Sequence, residues 1–238
     1  MGDAHPLPAG LLEELRLLSA CVVASAVEPF QVRLRNEGFA DPSVRAVFPE
    51  LPPLVGYAAT ARLRSAEPPM EGGNYYTSFT WWRYVQTVPA PRVIVLEDVD
   101  TPPGRGAFIG EVQARILAAL GGAGVVTNGA VRDLGELREL ALPVFASHVA
   151  ISHAYAHLFD FGTPVEVGGL RFQSGDLVHA DLHGVQTVPR SIAARIPAMA
   201  EEIRARRRRI AALCASTDID IERLAAKLEE FGMMRIRE

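Results

Sequence analysis

The stretch Gly124-Val125-Val126-Thr127-Asn128-Gly129-Ala130-Val131-Arg132-Asp133 decides the reading of this chain. Val125 and Val126 favour a buried strand, Gly129 permits a backbone turn with positive φ, and Asp133 can cap the helix that Leu134, Leu137 and Leu140 suggest. A strand is thus expected to stop at a tight turn and hand Arg132 and Asp133 to the start of a helix. Loops at strand ends are where α/β folds build sites, because polar groups there need not be buried unpaired.

Working outward, Val93-Ile94-Val95-Leu96 reads as a buried strand ending in Glu97-Asp98. The loop Thr101-Pro102-Pro103-Gly104-Arg105-Gly106 then leads into a helix expected over about 107–120. Strands are expected over 54–63, 143–146, 177–180 and 185–188, and a hairpin over 165–172 about Gly168-Gly169. Helical spacing covers Leu11 to Leu18 and then 21–35, a further helix with Trp81 and Trp82 is expected over 77–88, and from Pro189 the chain reads as helical nearly to its end. No repeat or linker divides it. Residues 1–238 read as one α/β domain, with a core over about 54–190 and helical arms over 9–35 and 190–232.

The 238 residues are 49% hydrophobic and 22% charged, ordinary for a globular protein with a sizeable core. A net charge of −4 gives no overall reason to bind nucleic acid or an anionic membrane. The arginine run from Arg204 to Arg209 follows Glu201-Glu202 in a helical pattern and reads as a solvated or subunit-facing surface rather than a polyanion contact. Only Cys21 and Cys214 are present, without CxxC or disulfide-framework spacing, so a cytoplasmic location is the simplest expectation. The opening Met1-Gly2-Asp3-Ala4-His5-Pro6 lacks a signal-peptide pattern, and no apolar run approaches the roughly 20 residues of a membrane span.

Three polar groups stand out by position. Glu111 falls in the first turn of its helix, where free N–H groups near Gly110, Glu111 and Val112 and the helix dipole favour a carboxylate or phosphate. Arg132 could clamp the same anion bidentately. Asp133, with Glu111 through water, supplies the hard oxygen ligands that Mg²⁺ or Mn²⁺ prefers. Equally open on physical grounds is a surface ion pair, with Asp133 as a plain N-cap.

The ordered motifs Gly110-Glu111, Gly124-Val125-Val126-x-x-Gly129-x-Val131-Arg132-Asp133, Pro143-Val144-Phe145-Ala146, Gly168-Gly169, Gly175-Asp176-Leu177 and Ala180-Asp181-x-x-Gly184-Val185 resemble the RraA-like family from about residue 92 to 190. That family includes 4-hydroxy-4-methyl-2-oxoglutarate aldolases and the regulator of ribonuclease E activity. The resemblance implies an α-β-β-α sandwich of the swivelling β/β/α type with helical arms, assembled as a homotrimer or hexamer with sites between subunits. It also implies a metal-dependent lyase. The amides of Gly110, Glu111 and Val112 would hold the carboxylate of a small 2-oxo acid, Arg132 would stabilise the enolate, and Asp133 would hold Mg²⁺ or Mn²⁺ largely through water. Glu111 is the candidate to hold a catalytic water.

The implied reactions are aldol cleavage to pyruvate and the related decarboxylation of oxaloacetate; the competing class is a non-enzymatic protein-binding regulator. In relatives the neighbouring subunit's C-terminal region supplies an acid, for which Glu201, Glu202 and Glu222 are candidates here. Two segments depart from the family. Asn74-Tyr75-Tyr76 and Trp81-Trp82-Arg83-Tyr84 read as core or interface aromatics, or as a substrate-facing wall. In 147–157, His153 and His157 would share a face if helical, and His148, just past a strand, could reach the active site. His179 and His183 read as structural. A methyl-donor site is disfavoured, because Gly121-Gly122-Ala123-Gly124 precedes its strand instead of following it.

Overall fold

Alternation along the strands sets the architecture. A computed structural model describes residues 6–69, 79–216 and 220–231. Its strands are β1 (Arg45–Ala46), β2 (Leu54–Arg64), β3 (Arg92–Asp98), β4 (Ala107–Ile109), β5 (Gly122–Val131), β6 (Val144–Val149), β7 (His157–Phe161), β8 (Val165–Val167), β9 (Leu170–Phe172), β10 (Leu177–Asp181) and β11 (Gly184–Val188). The helices are α1 (Ala9–Arg16), α2 (Ala20–Val27), α3 (Phe79–Thr87), α4 (Glu111–Ala119), α5 (Leu134–Glu139), α6 (Ile196–Cys214) and α7 (Ile221–Glu230).

Nine strands form one mixed sheet in the order β1-β6-β5-β3-β2-β10-β11, with β4 on β5 and β7 on β2. Strands β2, β3, β5 and β6 run parallel, joined by crossovers. Residues 38–47 almost close the sheet into a barrel. Ala40 N–H donates to Val185 O and Thr187 N–H to Gly38 O at one end, and Val47 N–H reaches Val144 O at the other.

Period-two burial then separates two cores. Val93, Val95, Val126, Phe145, Val178 and Val185 point inward onto Val165, Val167, Leu170 and Phe172 of the β8–β9 hairpin. Their neighbours Ile94, Leu96, Val125, Val144 and Leu177 point outward under the helices, against Leu15, Val23, Leu117, Leu137 and Ile196. The hairpin turns at Gly168 and Gly169, both left-handed, which a residue with a Cβ rarely adopts. This is the α/β architecture expected, with the two β layers formed by one curved sheet.

The N-terminal helices are tied to β10 and β11 by polar groups. His179 Nε2 lies 3.1 Å from both Leu15 O and Leu18 O, Asp181 Oδ2 accepts from Ala20 N–H at 2.9 Å, and Gln186 Nε2 donates to Ala20 O. Such bonds satisfy orphan groups at helix ends. His179 and His183 are structural, the latter resting on Asp181 at 3.0 Å.

Three local expectations are corrected. Helicity from 21 to 35 stops early: α2 ends at Val27, one 3-10 turn with Pro29 follows, and Gln31 turns left-handed. Residues 107–109 are strand β4, because Ala107 and Ile109 pair with Ala130 and Val131. No turn interrupts residues 124–131: β5 runs on to Val131 with an irregularity between Thr127 and Ala130, and Gly129 is not left-handed. Residues 147–157, whose secondary structure the sequence leaves open, are the end of β6, a loop and the start of β7.

Trp81 is buried in the outer core and stacks on Tyr84 at 5.6 Å, and Trp82 and Tyr84 pack half-buried against that core, while Phe79 at the start of α3 is exposed. Asn74, Tyr75, Tyr76 and Thr77 lie outside the described residues, as do the first five residues and the end of the C-terminal arm. No helix among the described residues is long and apolar enough to cross a membrane.

Candidate active site

Strand β4 brings the predicted residues together. Its pairing with β5, continued by Arg132 N–H donating to Ile109 O at 3.0 Å, lays the start of α4 beside the end of β5. Gly110 is the N-cap of α4 in extended conformation, and Glu111 N–H donates to Asp133 Oδ2 at 3.0 Å. Arg132 Nε donates to Asp133 Oδ1, also at 3.0 Å. Asp133 precedes α5, yet its side chain makes no cap bond there. It caps the neighbouring helix α4 instead, which corrects the expectation that it caps its own.

The Glu111 N–H foremost, and then the Arg132 guanidinium, hold the Asp133 carboxyl below the usual carboxylate range. Its side chain is 30% exposed, so the carboxylate is partly open to solvent. The backbone of Asp133 is left-handed, with φ 57° and ψ 48°. Such a conformation costs a non-glycine residue about 1 kcal/mol, least for Asn and Asp. Gly110 is required by space: a Cβ there would stand 2.5 Å from Asp133 Oδ2 and 3.0 Å from Arg132 Cγ.

The three amides expected to be free are not equivalent. Glu111 N–H is occupied by Asp133, while Val112, in the first turn, has no acceptor within the helix. The Glu111 carboxylate does not face Asp133 directly: Oε1 accepts from Arg115 Nε at 2.8 Å, one turn along. Exposed pairs of this spacing contribute only about 0.5 kcal/mol, so the carboxylate is readily released.

No cluster of three or more His, Cys, Asp or Glu side chains that could hold a metal exists among the described residues. One ionised, partly exposed carboxylate with water on its open side suits Mg²⁺ or Mn²⁺, which keep most of their water. His153 Nδ1 and His157 Nδ1 lie 2.8 and 2.7 Å from the carbonyls of Ala154 and Tyr155, so no shared helical face exists for a zinc pair.

His148 faces a cleft of about 650 Å³ at the carboxyl ends of β3, β5 and β6, with Arg45, Glu97, Asn128, Ser147 and Glu166. Arg132 and Asp133 do not line that cleft, nor the larger one of about 830 Å³ between residues 25–37 and α6. They form an open ledge. Beside it Val112, Val149 and Ile151 are exposed, Ile151 to 98%. The sequence reading attached no role to Asp98 although the signal was visible: an acidic residue ending a buried apolar strand. Asp98 is 2% exposed, and burial pushes its carboxyl up.

A nearly closed α/β sheet that sets an arginine and an aspartate against the N-terminus of a crossover helix defines a class with an anion-and-cation ledge on a rigid scaffold. The chain belongs to the RraA-like family: the Aldolase/RraA family model matches residues 20–186. A candidate 4-hydroxy-4-methyl-2-oxoglutarate aldolase of Halalkalibacterium halodurans is 29% identical over 85 residues, 35% of this chain and 40% of the relative. Another from Ectopseudomonas mendocina is 30% identical over 90 residues, 37% of this chain and 55% of the relative. The chain thus spans about half the length of the curated relatives it matches.

Among solved structures, an uncharacterized protein from Pseudomonas syringae superposes with a TM-score of 0.72 at 20% identity, covering 95% of this chain and 98% of that one. A Streptomyces coelicolor member of the RNase ES inhibitor RraA family gives 0.65 at 24% identity, with coverage of 83% and 94%. At these identities the likeness shows the fold.

Proposed function

We propose that the chain is a divalent-metal-dependent carbon–carbon lyase that releases pyruvate from a 2-oxo acid, with 4-hydroxy-4-methyl-2-oxoglutarate and oxaloacetate as the substrate types. The observation that carries this reading is the cradle in which Gly110 gives up a side chain so that Asp133 can stand against Glu111 N–H and Arg132. Asp133 would hold Mg²⁺ or Mn²⁺ through its open side and water, and the ion would supply Lewis-acid stabilisation where negative charge develops.

The chain's own groups supply the rest. Val112 N–H and the α4 dipole attract the 2-oxo acid's carboxylate, and Arg132 faces the oxygen that becomes the enolate. In the aldol case a water held by Glu111 takes the proton of the C4 hydroxyl. The C3–C4 bond then breaks, its electron pair forms the enolate of pyruvate, and the fragment bearing the new carbonyl leaves. Protonation at C3 completes the turnover. Decarboxylation of oxaloacetate needs no base, because its C4 is an ionised carboxylate: the C3–C4 bond breaks, CO₂ leaves, and the electron pair forms the same enolate, which is protonated at C3.

The exposed Val112, Val149 and Ile151 support a second copy covering the ledge, in a homotrimer or hexamer. Glu201, Glu202 and Glu222 are the acids that such a copy could bring.

The deciding experiment measures pyruvate release from both substrates with Mg²⁺, Mn²⁺ or EDTA, for wild type and Asp133→Asn. Asn tolerates the left-handed backbone, so the fold is retained while the charge is lost. Release that needs metal and disappears in the variant supports the lyase. Absence of release from the wild type favours the protein-binding regulator of the same family.

A further inference from the structure

Residues 99–106 carry the chain from the end of β3 to β4, and β4 delivers Gly110 to the ledge. Their backbone is gripped from two sides. On one side Asp98 Oδ2 accepts from Gly104 N–H at 2.8 Å, and Ser65 Oγ accepts from Gly106 N–H at 3.1 Å while donating to Asp98 Oδ2 at 3.2 Å. On the other side a Cβ on Gly104 would stand 2.5 Å from the His148 ring, and one on Gly106 would collide with the His153 carbonyl.

The anchoring side is itself fixed. Asp100 Oδ2 accepts from the N–H groups of Ser65 and Ala66 at 2.6 and 2.8 Å. Asn128 holds the backbone of Asp98 from both ends, accepting from its N–H at 2.7 Å and donating to its carbonyl at 2.9 Å. Asp98 and Ser65 are 2% and 0% exposed. Burying a carboxyl disfavours its charged form, and its hydrogen bonds here go to Gly104, Asp100 and Ser65, none to the apolar cores. A sheet that needed only packing would place an apolar residue at that point.

We propose that Asp98 and Ser65 are positioning residues of the ledge: by holding Gly104 and Gly106 they set where Gly110 and Glu111 stand against Asp133. This rests on the lyase reading for its catalytic consequence, though not for its structural one. The path is short. Gly106 is followed by β4, which β5 fixes laterally, so a slip of residues 104–106 along β4 moves the Glu111 N–H relative to Asp133 Oδ2.

The test compares wild type, Asp98→Asn and Ser65→Ala as full-length protein. Hydrogen exchange is followed in peptides covering 104–112, with 177–188 as an internal reference, together with kcat and KM for oxaloacetate with Mg²⁺. Exchange over 104–112 is expected to accelerate ~10-fold in both variants while 177–188 is unchanged. A fall of ~10-fold or more in kcat, with KM within about twofold, should accompany it. Equal acceleration in both peptides would mean general loosening and overturn the proposal. So would unchanged exchange over 104–112, or faster exchange there with unaltered kcat. A wild type that releases no pyruvate defeats the lyase reading alone, and the exchange data then decide the positioning claim by themselves.

Discussion

Gly110→Ala is the sharpest perturbation of the ledge because it changes nothing but space. The backbone at Gly110 is extended, at φ −138° and ψ −167°, where alanine is at ease, so no torsional cost is introduced. The added methyl would stand 2.5 Å from Asp133 Oδ2. That is about 0.9 Å inside ordinary contact, and Arg132 Cγ at 3.0 Å closes the way on the adjoining side. The carboxylate cannot retreat by that amount and keep both of its 3.0 Å bonds, to Glu111 N–H and Arg132 Nε. Loss of one charge-assisted bond plus residual overlap costs about 1–3 kcal/mol, a fall in melting temperature of roughly 2–12 °C for a chain of this size. For a site displaced by about 1 Å, turnover should fall ~100-fold. Melting curves and metal-dependent pyruvate release measure the two effects. Gly135→Ala is the matched control: nothing lies within 4 Å of its Cβ position inside α5, so it should raise stability by about 0.5–1 kcal/mol and leave turnover alone. If Gly110→Ala melts and turns over like the control, the cradle has no bearing on function and the reasoning fails.

Two further outcomes follow from other parts of the fold. His179 is buried and its pKa is held below the ordinary 6.5, chiefly by desolvation, so the unfolded chain takes up its proton first as pH falls. Stability from this residue is complete above about pH 6.5 and declines below it; in His179→Gln, whose amide can still donate to Leu15 O and Leu18 O, melting temperature between pH 7.5 and 5.5 should vary less than in wild type. Ile151→Asp places a charge on a side chain that is 98% exposed in the single chain, so the fold should be unaffected. If a second copy covers this rim, light scattering will show a smaller particle and pyruvate release will fall at least ~10-fold; an unchanged oligomer places the interface elsewhere.

Much of the scaffold could be read from residues alone because the signals were local. Val93-Ile94-Val95-Leu96 is apolar on both faces because hairpin and helices cover both, and the Gly168-Gly169 pair marks a turn that few other residues can make. What escaped was set by distant partners. Nothing within residues 107–109 distinguishes a strand from a first helical turn; β5 decides it by offering Ala130 and Val131 as pairing partners. Likewise Gly129 looked like a turn, and it is a close approach instead: its Cβ would stand 3.1 Å from Asp98 Cβ. The glycine is there for a neighbour across the sheet, which no window of sequence contains. The grouping of Gly110, Glu111, Arg132 and Asp133 was expected from motif order, whereas the occupied Glu111 N–H and the Glu111–Arg115 pair depend on side-chain placement.

The ledge also shows where stability has been given up. An aspartate whose only task was to start α5 would adopt the extended N-cap conformation and bond its own first turn, as Asp220 does with Arg223 N–H at 2.7 Å in α7. Asp133 does neither. It accepts a left-handed backbone, leaves α5 uncapped by its side chain, requires the absence of a Cβ at Gly110, and lies beside three exposed apolar residues. Each of these lowers the stability or solubility of a lone chain, and together they place one ionised carboxylate and one guanidinium at a helix N-terminus. Strain that converges on one charged pair is the kind of feature from which a site can be proposed. The same logic separates the two functions open to this family. A binding surface for a protein partner would be served by the exposed Val149 and Ile151 without a strained Asp133, whereas an enolate-stabilising site needs the charges fixed before the substrate arrives. Asp133→Gly divides them: glycine relieves about 1 kcal/mol of left-handed strain, which offsets only part of what is lost with the bonds to Glu111 N–H and Arg132, so a modest fall in stability should accompany complete loss of metal-dependent pyruvate release. A folded variant that still releases pyruvate in a metal-dependent way would refute the role given to the carboxylate.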